Sequence, residues 1–150
     1  MPVHLIGAML VRRIERAPDG SVHLIHPADV LTIAASERER LRESGKEFLY
    51  GPFPDREVYL AFAGGEAREY TLTSLLVYPG GIKVERLPWI ERFDWPPGAP
   101  VLELYEKFQG ELAFKDSGIY ELRFLLDGEP LVGLKWPIIW EDEVNEWRAR

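Results

Sequence analysis

The sequence predicts an all-β fold of antiparallel strands, arranged as a sandwich or a small barrel, with one short surface helix. Apolar residues alternate with polar residues along most of the chain, which is typical of strands that bury one face. Turn signals containing Gly, Pro or Asp recur at spacings of roughly 8–15 residues. Only one segment combines the composition and the end signals of a helix. Together these observations predict about eight or nine strands.

The composition is that of an ordinary globular protein and predicts one domain over residues 1–150, since 46% of the residues are hydrophobic and 29% are charged. The absence of cysteine excludes disulfides, thiol nucleophiles and cysteine-based zinc sites. A net charge of −7 disfavours binding to nucleic acid or to an anionic membrane. Without a signal-peptide pattern or a long apolar run, we expect a soluble, cytoplasmic protein. Acidic residues balanced by arginine, together with 12 prolines, resemble the composition of a thermophile.

The N-terminal segment predicts a β-hairpin. Residues 3–16 alternate with a period of two, and Pro18-Asp19-Gly20 supplies the chemistry of a tight turn. Residues 21–26 return as the second strand, which a proline ends. Residues 28–34 either continue the sheet or begin a segment that crosses to another sheet.

The predicted helix spans residues 36–45. Ser36 and Glu39 have the spacing of a capping box, in which each side chain accepts a hydrogen bond from the other residue's backbone N–H. Gly45 stands where a left-handed residue ends a helix. Leu41 is the only large apolar residue, so we expect this helix to lie solvated on the surface.

The middle of the chain predicts three strands between two irregular segments. Residues 46–55 are expected to form a loop, because two prolines constrain their backbone. Residues 88–100 contain too much proline for a regular sheet strand, so we expect them to cross between two sheets. The three strands are expected at residues 56–63, 67–78 and 82–87.

The last third of the chain has the clearest alternation. The turn signal Asp127-Gly128 predicts a hairpin between the final two strands. Residues 141–150 form a polar tail that we expect to contain one or two helical turns. The strands are expected at residues 101–108, 111–114, 119–126 and 129–140.

Residues 114–129 carry the block F-x-x-x-G-x-Y-x-L-x-F-x-L-D-G-E, which includes Gly118, Tyr120, Asp127 and Gly128. The block is similar to the last hairpin of C2-like and immunoglobulin-like sandwiches. More narrowly, it resembles that of a bacterial family of small sandwich proteins without an established activity, which also open with a long strand and a glycine-containing hairpin. The resemblance implies an antiparallel β-sandwich and no particular activity. Gly118 is expected to permit a tight corner, and the Tyr120 hydroxyl to reach a backbone group as in a tyrosine corner.

The three histidines do not predict a metal site. His23 and His26 are three residues apart on one strand, so their side chains point to opposite faces. If Asp19-Gly20 forms a two-residue turn, His23 lies opposite Arg16 and His26 opposite Arg13, with His4 far along the ladder. We therefore expect ordinary strand histidines, no metal and no cofactor.

No catalytic motif is present either. The sequence lacks the G-x-S-x-G turn of a serine hydrolase, and Ser74 and Ser117 are interpreted as structural. Carboxylate pairs are always available among 25 acidic residues, so their presence alone does not indicate a glycosidase. A hydrolase with an acidic cleft stays a third alternative.

The tryptophans are the most informative candidates for a binding site. Trp89, Phe93 and Trp95 lie together in the proline-rich segment, where they could stack on a sugar ring or contact a protein partner. The alternative is that they close the open end of the core. Trp136 and Trp140 share one face of the last strand, as in a core or a buried subunit interface.

The sequence therefore predicts a non-enzymatic binding or assembly module, which interacts with a protein partner or with a second copy of itself. The alternative is a lectin-like module that binds a carbohydrate or another small ligand through the three aromatic residues of the proline-rich segment. Neither nucleic acid nor a membrane is expected as a partner.

Overall fold

Strands dominate the protein, in a computed structural model that describes residues 3–27, 30–52, 56–108 and 111–149. The described ranges also contain two short 3₁₀ turns, Pro79–Gly81 and Glu141–Glu143. In chain order, the helices and strands of the described ranges are β1 His4–Arg16, β2 Val22–Pro27, β3 Leu31–Ile33, α1 Ser36–Ser44, β4 Leu49–Pro52, β5 Glu57–Ala63, β6 Glu69–Val77, β7 Val84–Asp94, β8 Val101–Lys107, β9 Glu111–Phe114, β10 Gly118–Leu126, β11 Glu129–Trp140 and α2 Val144–Arg148.

The strands form two larger sheets and one separate pair. The four-stranded sheet has the order β2-β1-β5-β8, and the five-stranded sheet has the order β3-β11-β10-β6-β7. Strands β4 and β9 make the separate pair. Among the strands that the structure describes, every pairing is antiparallel except that of β3 with β11. The all-β fold is confirmed, and the C2-like or immunoglobulin-like class stays a prediction.

Both sheets and the β4–β9 pair contribute to one hydrophobic core. The alternation along β10 places Tyr120, Leu122 and Phe124 in this core. Trp136 from β11 and Phe62 from β5 are fully buried against the same cluster. Burial of each such side chain contributes about 1.5–3 kcal/mol, so these residues stabilise the packing of the strands in the core.

The N-terminal hairpin forms with a register one residue away from the predicted one. Arg16 pairs with Val22 and Glu15 with His23, so residues 17–21 make the loop and the predicted pairing of His23 with Arg16 is wrong. The Asp19 carboxylate accepts hydrogen bonds from the Ser21 N–H at 2.9 Å and from its hydroxyl at 2.6 Å. These hydrogen bonds within the loop stabilise it in place of the predicted two-residue turn. The resulting register shift gives each residue of the hairpin a different cross-strand partner from the predicted one.

The helix occupies the predicted segment, but its N-terminus differs from the expected capping box. Ala35 is the N-cap and already has helical angles, so Ser36 lies inside the helix and no side chain caps it. The Ala35 N–H instead donates to the Glu141 carboxylate at 3.0 Å. Gly45 ends the helix with φ of 68°, as predicted, and none of the helical residues is buried.

Two segments expected to be irregular contain strands. Within residues 46–55, Leu49–Pro52 pairs with β9. Strand β7 continues through Pro88 to Asp94 because it is the edge of its sheet, where a missing N–H donor is tolerated. A register shift places residues 87–89 opposite the single residue Ser74. Residues 95–100 alone make the expected crossing between the two sheets.

The C-terminal hairpin agrees with the predicted turn chemistry. Asp127 and Gly128 have φ values of 49° and 82°, which both central residues of a tight hairpin turn require. The buried Tyr120 donates its hydroxyl to the Asp116 carbonyl at 3.2 Å, as expected of a tyrosine corner. Gly118 matters for a different reason from the predicted one, because a Cβ atom there would lie 2.5 Å from Pro79 Cγ.

The predicted helical turns of the tail are present at Glu141–Glu143 and Val144–Arg148. No helix in the described ranges is both long enough and apolar enough to cross a lipid bilayer.

The contact at Gly118 predicts that Gly118→Ala destabilises the protein by about 1–3 kcal/mol, because the new methyl group must displace Pro79. Urea denaturation measures the loss. Gly51→Ala is the matched control, since a Cβ at Gly51 meets no atom within 4 Å. Equal stabilities of the two variants would contradict the importance of this contact.

The turn at Asp127 predicts a pH-dependent stability. Its carboxylate accepts from the Thr71 N–H at 3.0 Å and pairs with Arg68 at 2.7 Å, and these contacts lower the pKa of Asp127. Because the lowered pKa means that the ionised form stabilises the folded state, that contribution is lost as the pH falls from about 5 to about 2.

Asp127→Asn should therefore lower the melting temperature at pH 7, and the difference from the unmodified protein should shrink at pH 3. Thermal melts at both pH values test this, with the exposed Asp94→Asn as a control of equal charge change. A difference that is as large at pH 3 as at pH 7 would show that the charge of Asp127 is not the cause.

Candidate functional site

A cleft of about 500 Å³ lies beside the C-terminal segment. Its walls come from three parts of the chain that are distant in sequence: α1, the turn between β9 and β10, and the segment from the end of β11 through α2. We call it the C-terminal cleft. The lining residues are Arg38, Leu41, Arg42, Lys115, Asp116, Ser117, Trp140, Glu143, Glu146 and Trp147.

Ser117 joins two of the three walls. Its hydroxyl oxygen accepts a hydrogen bond from the Trp140 N–H at 2.8 Å, and its hydroxyl donates to the Glu143 carboxylate. The Trp140 indole N–H donates to the Lys115 carbonyl at 3.1 Å. These bonds connect the β9–β10 turn to the end of β11, so this side of the cleft is preorganised.

Arg38 joins the third wall, α1, to the C-terminal segment. Its guanidinium lies 4.8 Å from the centroid of the Trp140 ring and donates to both carboxylate oxygens of Asp142, at 2.8 and 3.2 Å. It also lies 3.4 Å from Glu143. A bidentate pair with a cation–π contact holds α1 in one orientation against the C-terminal segment.

The rim of the cleft carries positive and negative side chains, and their ion pairs are exposed to solvent. Arg42 pairs with Glu39 at 2.7 Å, and Lys115 lies 3.9 Å from Glu47. Exposed ion pairs contribute little free energy, about 0–1 kcal/mol, so they can exchange for contacts with a ligand. Trp147 adds a half-buried indole to the same cleft. The cleft thus offers hydrogen-bond donors, acceptors and an aromatic surface.

The described aromatic side chains of the proline-rich segment, Phe93 and Trp95, pack into the core, as in the alternative in which they close its open end. Trp95 is 2% exposed, donates its indole N–H to the Ala99 carbonyl at 2.9 Å, and packs so closely on Gly65 that a Cβ there would overlap its ring. Phe93 stacks on Phe62 at 5.8 Å and on a second core ring. Trp89 lies in β7, and its side chain is outside the described residues.

The histidines lie on the four-stranded sheet. His4 is exposed on β1, and His23 is exposed on β2 with Nε2 3.5 Å from the Ser21 hydroxyl. The side chain of His26 is outside the described residues. Within the described ranges, no group of three or more His, Asp or Glu residues is arranged to hold a metal ion.

Sequence reasoning missed the C-terminal cleft although it named several of its members. Ser117 was expected to be only a turn former, α1 only a solvated helix, and Trp140 a core or interface residue. Trp140 is indeed 3% exposed and in the core, but one face of its ring meets Arg38. A tryptophan at position 147, within an otherwise polar tail, was the one local signal of this site.

Neither the scan against protein-family models nor the search of curated proteins finds a match. The resemblance of residues 114–129 to the small bacterial sandwich family therefore stays a prediction.

Proposed function

We propose that this protein is a non-enzymatic binding module and that the C-terminal cleft is its site for a small polar ligand. The observation that carries the proposal is a preorganised cleft in which the half-buried indole of Trp147 lies among hydrogen-bond donors and acceptors. A volume of about 500 Å³ suits a small molecule, since such sites commonly measure 300–1,000 Å³.

The chemistry of the lining favours a carbohydrate. A sugar presents hydroxyl groups that both donate and accept hydrogen bonds, and C–H faces that pack on an indole. Arg42 and Lys115 supply donors, and Glu146 supplies acceptors, beside the Trp147 ring. The proposed ligand class is the lectin-like alternative that the sequence suggested, with different residues at the site.

Replacing Trp147 tests the proposal. A glycan array should identify a carbohydrate ligand, and titration with it should change the tryptophan emission. Trp147→Ala should raise the dissociation constant at least about tenfold, which corresponds to about 1.4 kcal/mol. Ile119→Ala, at a 40% exposed apolar residue outside the cleft lining, is the control and should bind normally. An array without a response, or unchanged binding by Trp147→Ala, would refute the proposal.

Self-association is the second candidate function, and the outward face of the four-stranded sheet favours it. Met9, Tyr59 and Tyr105 are register partners on this face, and Met9 is 37% exposed. Arg16 lies over Tyr105 at 4.5 Å, and Glu103 accepts a hydrogen bond from Tyr59 at 2.6 Å. Because the face carries both charges, two copies related by a twofold axis can pair Arg16 of one with Glu103 of the other.

Light scattering tests this second candidate. The unmodified protein should be a dimer, and Met9→Lys should be a monomer because it places a charge within the apolar face. Ile119→Lys, which adds the same charge to the five-stranded sheet, should remain a dimer. A monomeric unmodified protein would exclude self-association through this face.

A further inference from the structure

Three aromatic rings and one carboxylate surround the side-chain ammonium of Lys83. Its Nζ atom lies 4.9 Å from the ring centroid of Phe48, 5.3 Å from that of Tyr78 and 5.9 Å from that of Tyr50. The Glu85 carboxylate is 3.9 Å away. We call Phe48, Tyr50, Tyr78 and Glu85 the aromatic cage.

The fold holds the cage walls in place. Phe48 meets Tyr78 edge to face at 5.9 Å and Tyr50 at 6.3 Å. Tyr78 donates its hydroxyl to Glu85 at 2.8 Å, which orients the carboxylate. Tyr78 is 2% exposed whereas Tyr50 is 46% exposed, so the cage has a buried inner wall and an outer wall that solvent reaches.

We propose that the aromatic cage is a binding site for a quaternary ammonium group and that Lys83 fills it in the absence of ligand. The negative faces of aromatic rings attract cations, and cages of several rings recognise methylated ammonium groups. A primary ammonium is strongly hydrated, because its N–H groups donate hydrogen bonds to water. A quaternary ammonium has no such donors, so it gains more from an aromatic surface, while Glu85 supplies the opposite charge.

Lys83 is suited to leave the cage. Its side chain is 31% exposed, and its distance of 3.9 Å from Glu85 is long for an ion pair. Its backbone stays fixed, because the Lys83 carbonyl accepts a hydrogen bond from the Tyr78 N–H at 2.9 Å. The flexible side chain can therefore move into solvent without disturbing the walls. The cage shares no residue with the lining of the C-terminal cleft, so this site is independent of the proposed function.

Titration with tetramethylammonium chloride, followed by the aromatic proton resonances of the tyrosines, tests the proposal. Lys83→Ala removes a competitor that is tethered beside the site, and tethered groups have effective concentrations of about millimolar. We therefore expect Lys83→Ala to bind tetramethylammonium saturably, with a dissociation constant at least about tenfold lower than that of the unmodified protein. Adding Tyr50→Leu to Lys83→Ala should abolish this binding, and the exposure of Tyr50 makes the change tolerable for folding.

Lys46→Ala is the matched control for charge. Lys46 lies 6.0 Å from the Tyr50 centroid, so its removal also deletes one positive charge near the cage but does not vacate it. We expect its affinity to change by less than about threefold. The proposal is overturned if Lys83→Ala shows no saturable binding, if Lys46→Ala strengthens binding equally, or if Tyr50→Leu has no effect on binding by Lys83→Ala.

Discussion

The burial of Tyr120 is the constraint on which both candidate sites depend. Its ring packs against Tyr78 at 5.2 Å and Phe114 at 6.1 Å, in the core shared by both sheets and the β4–β9 pair. Its hydroxyl donates to the Asp116 carbonyl and so positions the turn that forms one wall of the C-terminal cleft. Tyr78, the residue packed against it, is the inner wall of the aromatic cage. The packing around the Tyr120 ring therefore positions one wall of the C-terminal cleft and the inner wall of the aromatic cage.

Each candidate site combines a rigid aromatic wall with exposed charges. In the C-terminal cleft the fixed wall is the buried Trp140, and the exposed charges are Arg42 and Lys115. In the cage the fixed inner wall is the buried Tyr78, and the exchangeable charge is Lys83. Buried aromatic residues keep their positions because they are packed at close to crystalline density. Exposed charges change partners at little cost in free energy. This division between fixed walls and exchangeable charges is what a binding site needs, since a ligand then replaces weak contacts without disturbing the core.

The differences between predicted and observed structure have local physical causes. The Asp19 side chain bonds its own turn and shifts the β1–β2 register by one residue. Pro88 lies within a strand because that strand is an edge, and sequence patterns do not reveal which strand is the edge. Ser36 is not the cap because the helix begins one residue earlier than expected, and the N–H of the actual N-cap, Ala35, donates to Glu141 from a distant part of the chain. Each error arises where a side chain or a neighbouring strand competes with the preferred local structure.

The sequence by itself determined the all-β class, the C-terminal hairpin with its Asp127-Gly128 turn, the helix that Gly45 ends, and the bond of the Tyr120 hydroxyl to a nearby backbone group. These features depend on alternation and on residues close in the chain. Only the tertiary structure decided that Arg38 meets Asp142, 104 residues away, and that Lys83 lies among Phe48, Tyr50 and Tyr78. Periodicity specifies which face of a strand is buried. It does not specify which strands become neighbours, and both candidate sites are assembled from side chains on different neighbours.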